Sequence, residues 1–121
     1  MDNLQISENF WRHLQTLVET SEIVIDRPKG TPHPDYPGYI HPVDYGFLKG
    51  TSAADGGGID VWVGSSGSKK VEGIICIVDM EKRDSEIKIL FSCSEDEIKA
   101  IYSVQSQENM SAVLIKRRGT E

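Results

Sequence analysis

Two segments of the chain carry apolar residues at helical spacing, and each begins with a suitable cap. Ser7 and Ser94 are good N-cap residues because a serine hydroxyl accepts a hydrogen bond from a free backbone N–H, and acidic residues follow both. After Ser7, one helix face carries Phe10, Leu14, Leu17 and Val18, with Trp11 beside them. The pattern predicts a helix within the first twenty residues and a second from Ser94 to about Ser106.

Six short apolar runs outside these helices are typical of strands. The run at 71–78 is strongly apolar, whereas Glu86–Phe91 alternates polar and apolar residues, as a half-buried strand does. The predicted strands are 23–25, 45–48, 59–63, 71–78, 86–91 and 110–116. Short strands joined by short turns favour the α+β class, as a small OB-like closed or partly open β-barrel with flanking N-terminal and C-terminal helices. We expect one domain over residues 1–121, because this length suits a single core.

The segment from Asp26 to Thr51 holds all five prolines of the chain, together with four glycines and three tyrosines. Proline has no backbone donor and interrupts strand pairing, so little regular structure is expected between residues 27 and 42. Aromatic residues are frequent and serine is rare, which favours an ordered loop, a common location of binding residues. Its polar side chains could surround a phosphate, or could be solvated charges and core tyrosines with exposed hydroxyls. They are Arg27, Lys29, His33, His41, Tyr45 and Lys49.

Charge and composition narrow the set of partners. The chain has 13 basic and 19 acidic residues and a formal net charge of −6, which argues against nucleic acid as a partner. No apolar run approaches ~18 residues and no basic segment precedes one at the N-terminus, so we expect no membrane partner and a cytoplasmic location. Phe10 and Trp11 on an amphipathic helix favour a homo-oligomer. Cys76 and Cys93 lie in apolar runs and are expected to be reduced and buried.

Four aspartates form two pairs of equal spacing. Asp55 and Asp60 bracket the sequence GGGI, and Asp79 and Asp84 bracket MEKR. Hard divalent cations bind several carboxylate oxygens that converge from rigid loops, and two turns at one rim of a barrel could supply them. The alternative is turn chemistry, because aspartate accepts hydrogen bonds from nearby backbone N–H groups in turns. The spacing alone favours the turn interpretation.

Residues 42–63, PVDYGFLKGTSAADGGGIDVWV, resemble the signature region of the type I soluble inorganic pyrophosphatases. In that family a tyrosine in a P-x-N-Y-G-type segment is followed ten residues later by an acidic motif, D-x-D-P-x-D, which leads into a hydrophobic strand. Here Tyr45 lies ten residues before Asp55, and Asp55 and Asp60 match the first and third acids of the motif. The later pair, Asp79 and Asp84, is similar to a second acidic pair of the family.

The resemblance implies Mg²⁺-dependent hydrolysis of inorganic pyrophosphate to two phosphates, with Mn²⁺ as an alternative ion. In such a site the metal ions lower the pKa of the attacking water and cationic side chains neutralise charge on the phosphates. The implied metal ligands are Asp55, Asp60 and Asp84 for the central ions, and Asp79 and Asp26 for the outer ones. The resemblance implies Tyr45 and Tyr102 as phosphate-binding residues and Asp60, Asp55 and Tyr45 as catalytic residues. Arg27, Lys29 and Lys88 are the candidate cations that would join the two tyrosines on the phosphates.

The chain departs from the family pattern at several positions. The middle acid of the motif, which activates the attacking water in the family, is Gly57 here, and the motif's proline is Gly58. Glu86 and Ser103 stand where the resemblance would place lysines, and the Pro-rich segment replaces a phosphate-binding hairpin. Arg27, Lys29, Lys49, Lys88 or Lys116 would have to replace the missing cations, and Asp44 or His41 would have to replace the base.

These residues are compatible with three functions. The first is a short, divergent inorganic pyrophosphatase that acts on a small phosphate substrate. The second is a hydrolase on the same fold that cleaves another phosphoanhydride, such as a nucleoside polyphosphate. The third is a non-catalytic module that binds a metal–phosphate ligand or a protein partner. The match of the aspartate spacing to the family motifs favours the enzymes, although resemblance of fold alone does not establish an activity.

Overall fold

The computed structural model describes residues 5–118, which form six strands and two helices. The elements are α1 (Glu8–Glu19), β1 (Ile23–Arg27), β2 (Asp44–Leu48), β3 (Ile59–Val63), β4 (Val71–Asp79), β5 (Asp84–Phe91), α2 (Glu95–Val104) and β6 (Met110–Lys116). Neither helix has the length and apolarity needed to cross a membrane. The predicted α+β class and the two flanking helices are confirmed.

All six strands belong to one sheet in the order β1-β2-β3-β5-β4-β6. Neighbouring strands are antiparallel except β3 and β5, which pair in parallel. β1 and β6 occupy the two ends of this order, and within residues 5–118 they do not pair with each other. The sheet is therefore open, so of the predicted closed or partly open barrel the closed form is not seen.

One face of the sheet packs against α1. Trp11 and Val18 of the helix join a buried cluster with Leu48, Val61 and Ile89 from three different strands. Phe10 and Leu17, which the helical spacing places on the packing face, are instead more than a third exposed. The helix is rotated so that its indole fills the core, because one large ring buries more apolar area than Phe10 or Leu17 would.

The opposite face of the sheet is shared by α2 and the Pro-rich segment. Trp62, Ile75 and Leu90 form a second core cluster with Ile98 and Ile101 of α2. The cluster covers only part of this face, because the rest is occupied by the polar side chains described below. This division leaves a cleft beside a well-packed core.

Both helices begin where the sequence predicts. The Ser7 hydroxyl accepts a hydrogen bond from the Phe10 N–H at 3.3 Å. At α2, Ser94 and Glu97 form a reciprocal capping box, in which each side chain bonds the other residue's backbone N–H. The serine caps of the sequence prediction are confirmed.

The Pro-rich segment is ordered by backbone hydrogen bonds rather than by long strands. Gly30 N–H donates to the His41 carbonyl at 2.8 Å, and His33 N–H donates to the Tyr39 carbonyl at 2.8 Å. A single bridge pairs Pro32 with Ile40. The segment thus folds back on itself, which confirms an ordered loop with little regular structure.

The two cysteines have unequal environments. Both are free thiols, Cys93 is buried, and Cys76 is half-buried on the α1 side of the sheet. In the sheet register Cys76 lies between Ile87 and Val113, and both of these residues are more than half exposed. The expectation of burial is correct for Cys93 and wrong for Cys76, because the part of the sheet around Cys76 extends beyond α1.

Candidate active-site cleft

A cleft of about 730 Å³ lies on the sheet face opposite α1. Its floor comes from β2, β3, β4 and β5, and its walls come from the Pro-rich segment, the turn after β4 and the segment after α2. We call it the central cleft. Six of the residues that the sequence assigns to a site line it: Asp26, Arg27, Tyr45, Asp60, Asp79 and Lys88.

The alternation of side chains along the strands brings the polar groups to this face. Tyr45 is the register partner of Trp62, so Trp62 and Asp60, two residues apart on β3, point to the same side as Tyr45. On β5, Glu86 pairs with Ile77 and Lys88 pairs with Ile75, which are both in the core cluster of that face. Glu86 and Lys88 therefore face inward, while Ile87 between them is exposed.

An irregularity in β1 brings two more charged residues to the cleft. The pairing of β1 with β2 shifts between Ile25 and Arg27, so Asp26 is an extra residue in the edge strand. Arg27 then becomes the register partner of Tyr45, and its guanidinium carbon lies 5.9 Å from the centre of the tyrosine ring. Gly46 permits this approach, because a Cβ there would lie 1.8 Å from the Val24 carbonyl oxygen.

At the floor of the cleft, two carboxyl groups meet beside a lysine. The side chain of Asp60 acts on the pKa values of both the Glu86 carboxyl and the Tyr45 hydroxyl, so the three groups are close neighbours. The Lys88 ammonium lies 4.8 Å from the centre of the Tyr45 ring. Two neighbouring carboxylates repel each other, which favours the protonated form of Glu86. The pair can therefore hold one proton and release it, as an acid and its conjugate base.

The surroundings shift the pKa values of Glu86, Lys88 and Tyr45 in the directions that favour the neutral form of each group. Burial raises the pKa of Glu86 above its ordinary value, the positive charge of Lys88 lowers it, and the hydrogen bond and charge of Asp60 raise it further. Burial lowers the pKa of Lys88, although the negative charges of Glu86 and Asp60 oppose that shift. Burial and the nearby Asp60 and Glu86 raise the pKa of Tyr45, so its phenol stays protonated and can donate a hydrogen bond.

Aromatic rings continue from the floor of the cleft to its rim. Tyr45 and Trp62 lie 4.5 Å apart between ring centres at the floor. His41 stacks on Tyr45 at 5.9 Å, and His33 stacks on His41 at 6.2 Å. The ring of Tyr36 lies 5.2 Å from His33 at the outer end. We call this series the aromatic ladder; it consists of Trp62, Tyr45, His41, Tyr39, His33 and Tyr36.

Two of the predicted metal ligands serve as turn residues. Asp55 Oδ1 accepts a hydrogen bond from Gly57 N–H at 3.0 Å. Asp79 Oδ1 accepts from Glu81 N–H at 3.0 Å and from Lys82 N–H at 3.1 Å, while Asp79 also lines the cleft. These are the hydrogen bonds of the turn interpretation. Asp55 still lies close enough for its charge to raise the pKa of Glu86.

The remaining predicted site residues lie outside the cleft lining. Asp84 is exposed at the start of β5, opposite Asp79. Lys29 is exposed, and its backbone N–H donates to Asp44 Oδ1 at 2.8 Å. Tyr102 is 41% exposed on α2. Their roles as metal or phosphate ligands stay predictions, and the structure does not bring their side chains to the central cleft.

Lys49, Lys116 and His41 are among the residues that would have to replace the missing cations and base of the family pattern. Lys116 bonds Glu95, and Lys49 lies 3.9 Å from Glu22, so both cations are engaged away from the cleft. His41 lines the cleft and is buried, with Nδ1 2.9 Å from the Thr31 carbonyl oxygen. Because a carbonyl only accepts, Nδ1 donates in this contact.

The metal centre that the resemblance implies needs several carboxylates that converge on one point. Among residues 5–118, no group of three or more His, Cys, Asp or Glu side chains converges closely enough to hold a metal ion. The two carboxyls that do meet, on Asp60 and Glu86, have the Lys88 ammonium beside them as a counter-charge. This arrangement does not fit a resident centre of several metal ions, and the five-aspartate site stays a prediction.

Three residues at the cleft were missed by the sequence interpretation of the site. Glu86 was noted only as a departure from the family pattern, and Trp62 and Gln105 were not considered. The alternation in Glu86–Phe91 contains the signal, because Leu90 is inward-facing and period-two spacing puts Glu86 and Lys88 on the same side. Gln105 carries no such signal, since it follows α2 and reaches the cleft only through the tertiary fold.

The fold is similar to that of a protein of known structure. An inorganic phosphatase from Anaplasma phagocytophilum, whose crystal structure has a resolution of 1.75 Å, superposes with a TM-score of 0.54. The similarity covers 78% of this chain and 81% of that chain, at 14% sequence identity. No protein-family model and no curated protein matches the sequence. At this identity, the comparison shows that the two proteins share a fold.

Proposed function

We propose that the central cleft hydrolyses a phosphoanhydride, with inorganic pyrophosphate as the smallest substrate. The observation that carries the proposal is the carboxyl pair of Asp60 and Glu86, set beside the ammonium of Lys88. The name of the structurally similar protein, an inorganic phosphatase, supports the same class of substrate. The residue pattern at 42–63, which resembles the inorganic pyrophosphatases, includes Tyr45 and Asp60 of this site.

The pair supplies an acid and a base for one hydrolytic step. The Asp60 carboxylate takes a proton from the attacking water, whose oxygen forms a bond to phosphorus as the bridging P–O bond breaks. Glu86, whose raised pKa keeps its proton available, donates that proton to the leaving phosphate oxygen. The proton gained by Asp60 is then passed to Glu86, so the pair returns to its starting state.

Cationic and phenolic groups stabilise the charge on the phosphates. Lys88 and Arg27 both lie near the Tyr45 ring, at 4.8 Å and 5.9 Å from its centre. In a partly dehydrated cleft, such charges stabilise negative oxygens more strongly than they do in water. The Tyr45 hydroxyl adds a neutral donor.

Mg²⁺, or Mn²⁺ in its place, enters this proposal with the substrate. Magnesium in proteins is often bound by one or two carboxylates together with substrate phosphate oxygens, rather than by a protein cage. A magnesium–pyrophosphate complex would bring most of its own ligands, which suits a cleft with a single carboxyl pair. We therefore expect phosphate release to need Mg²⁺ in the assay.

Phosphate release from pyrophosphate, with and without Mg²⁺ at neutral pH, tests the proposal. Asp60→Asn and Glu86→Gln keep the size of each side chain, and each should lower kcat by on the order of 10²–10⁴-fold. Asp96→Asn, at an exposed carboxylate on α2, should leave the rate unchanged. A wild-type rate no higher than that of Asp60→Asn would contradict hydrolysis. Binding of the magnesium–pyrophosphate complex without turnover would instead support the non-catalytic alternative.

A further inference from the structure

The outer part of the central cleft has a chemical character that phosphate groups do not require. The aromatic ladder changes from fully buried rings at the floor to accessible rings at the rim, where Tyr36 is 43% exposed. Phosphate oxygens are recognised by cations and N–H donors, which lie at the floor. A wall of planar rings is suited to a planar, polarisable group, which can stack on it.

The rings at the rim are held in place by polar contacts. The Tyr36 hydroxyl bonds the Glu81 carboxylate, and His33 Nδ1 accepts a hydrogen bond from Asp35 N–H at 3.0 Å. Burial and the charge of Arg27 lower the pKa of His33, so its ring is neutral at neutral pH. A ring that is already fixed costs little conformational entropy when a ligand stacks on it. The rim is therefore a preorganised stacking surface.

Two buried polar atoms at the cleft have no protein partner. They are Nε1 of Trp62, a hydrogen-bond donor, and Oε1 of Gln105, an acceptor. Both side chains are 1% exposed and line the cleft. Gln105 lies beside the ladder, because its Nε2 donates to the Tyr39 hydroxyl at 2.9 Å. A buried polar group without a partner costs free energy, so both atoms need a ligand or water.

These two atoms distinguish between ligand types. Fully ionised pyrophosphate, the form favoured in its magnesium complex, has only acceptor oxygens, so it can satisfy the Trp62 N–H but offers no donor to the Gln105 carbonyl. A nitrogen heterocycle has both donors and acceptors on its edge and an aromatic face for stacking. The Gln105 carbonyl and the ladder therefore favour the same kind of group.

We infer that the central cleft binds a phosphate compound that carries a planar nitrogen heterocycle, such as a nucleoside diphosphate or triphosphate. The heterocycle stacks on Tyr36 and His33 at the rim, and its edge reaches towards Gln105. The phosphates extend to Lys88 and Arg27 at the floor. This inference rests on the proposed function for the phosphate end and adds the substrate class for the other end.

Calorimetric binding of two non-hydrolysable probes tests the inference. The probes are the α,β-methylene analogue of ADP and methylenediphosphonate, which share the phosphorus–carbon bridge and differ in the nucleoside. The nucleotide analogue should bind roughly 5- to 150-fold more tightly, the range that base stacking on an aromatic residue supplies. Tyr36→Ala should abolish most of this preference, while Tyr36→Phe should retain it. Phe10→Ala, at an exposed aromatic residue of α1, is the matched control and should also retain it.

Equal affinities of the wild type for the two probes, or no binding of either, would overturn the inference. A nucleotide preference that survives Tyr36→Ala would also overturn it, because the ladder would then not be the stacking surface. The probes cannot be hydrolysed, so binding and turnover are separate measurements. A ring preference without phosphate release contradicts the proposed function alone. Release of phosphate without a ring preference contradicts this inference alone.

Discussion

The shared environment of Glu86 and Lys88 shifts the pKa of the acid and the pKa of the base in opposite directions. Burial disfavours the charged form of each group, so it raises the pKa of Glu86 and lowers the pKa of Lys88. The charge of each partner opposes that shift. The native state therefore holds the proton of Glu86 more tightly than the unfolded chain does.

Replacing Glu86 with glutamine should change how stability depends on pH. Because the folded pKa of Glu86 is raised, its contribution to stability is present below its ordinary value of 4.5 and is lost as pH rises through the folded value. In Glu86→Gln this loss disappears, so the variant should gain stability relative to the wild type as pH rises from about 4.5 to 8. Urea unfolding across this pH range measures the difference. Glu22→Gln, at an exposed carboxylate, is the control, and a difference that does not depend on pH would contradict the prediction.

Gly57 stands where the inorganic pyrophosphatases, which residues 42–63 resemble, have the acid that activates the attacking water. A Cβ on Gly57 would have Asp55 Oδ1 at 3.5 Å as its nearest neighbour, which is an ordinary contact, so the turn has room for a side chain. Neither Asp55 nor Gly57 lines the central cleft, and a general base must lie within hydrogen-bonding reach of the attacking water. We therefore expect Gly57→Asp not to raise phosphate release from pyrophosphate above that of the wild type. Gly57→Asn separates the charge from the size of the new side chain. A rate for Gly57→Asp well above that of Gly57→Asn would contradict the prediction and show that this turn reaches the reacting water.

Individual site residues could be predicted from the sequence only where the spacing within one short motif identifies them. Tyr45 and Asp60 were found because they lie within one motif on two neighbouring strands. The roles of the turn aspartates could not be predicted in this way. The same sequence pattern fits an aspartate that accepts hydrogen bonds from its own turn and an aspartate that binds a ligand. Asp55 and Asp79 bond their turns in the structure.

At the scale of elements, the approach of β1 to β2 positions one wall of the site. Ile25 is the register partner of Gly46, and the absence of a side chain there lets the Val24 carbonyl come close. The irregularity at Asp26 then directs Arg27 to the cleft. Helix caps could be predicted because they depend on neighbours in the chain, whereas this pairing depends on residues about twenty positions apart.

Gly46→Ala should destabilise the protein strongly. The new Cβ would lie 1.8 Å from the Val24 carbonyl oxygen, so β1 must move, at a cost of about 3 kcal/mol or more. Chemical denaturation measures this loss. Gly57→Ala is the matched control, because its Cβ meets no atom closer than 3.5 Å, and it should change stability by less than about 0.5 kcal/mol. Similar losses in the two variants would show that the close approach is not the cause.

At the scale of the whole molecule, Gln15 connects α1 to the sheet. Its Oε1 accepts from Val71 N–H at 2.8 Å and from Arg117 Nη1 at 3.1 Å, and its Nε2 donates to the Lys69 carbonyl at 3.0 Å. One side chain thus joins the N-terminal helix to the start of β4 and to the segment after β6. The apolar cluster around Trp11 supplies the packing, and Gln15 sets the orientation of the helix.

Gln15→Ala should cost about 1–3 kcal/mol of unfolding free energy, because the Val71 N–H loses its partner in a partly buried place. His13→Ala, at an exposed position of the same helix, should cost little. Thermal and urea unfolding of both variants provide the measurement. Equal stability of the two variants would mean that α1 is held by apolar packing alone.

The two groups of strands in the sheet are joined by one parallel pairing. β1, β2 and β3 form one antiparallel group and β4, β5 and β6 form the other, and within residues 5–118 the pairing of β3 with β5 is the one strand pairing that joins them. Asp60 lies on β3, and Glu86 and Lys88 lie on β5, so the proposed acid–base pair spans this boundary. The proposed site is therefore complete only when the two groups have paired, and the onset of phosphate release during refolding would report that event.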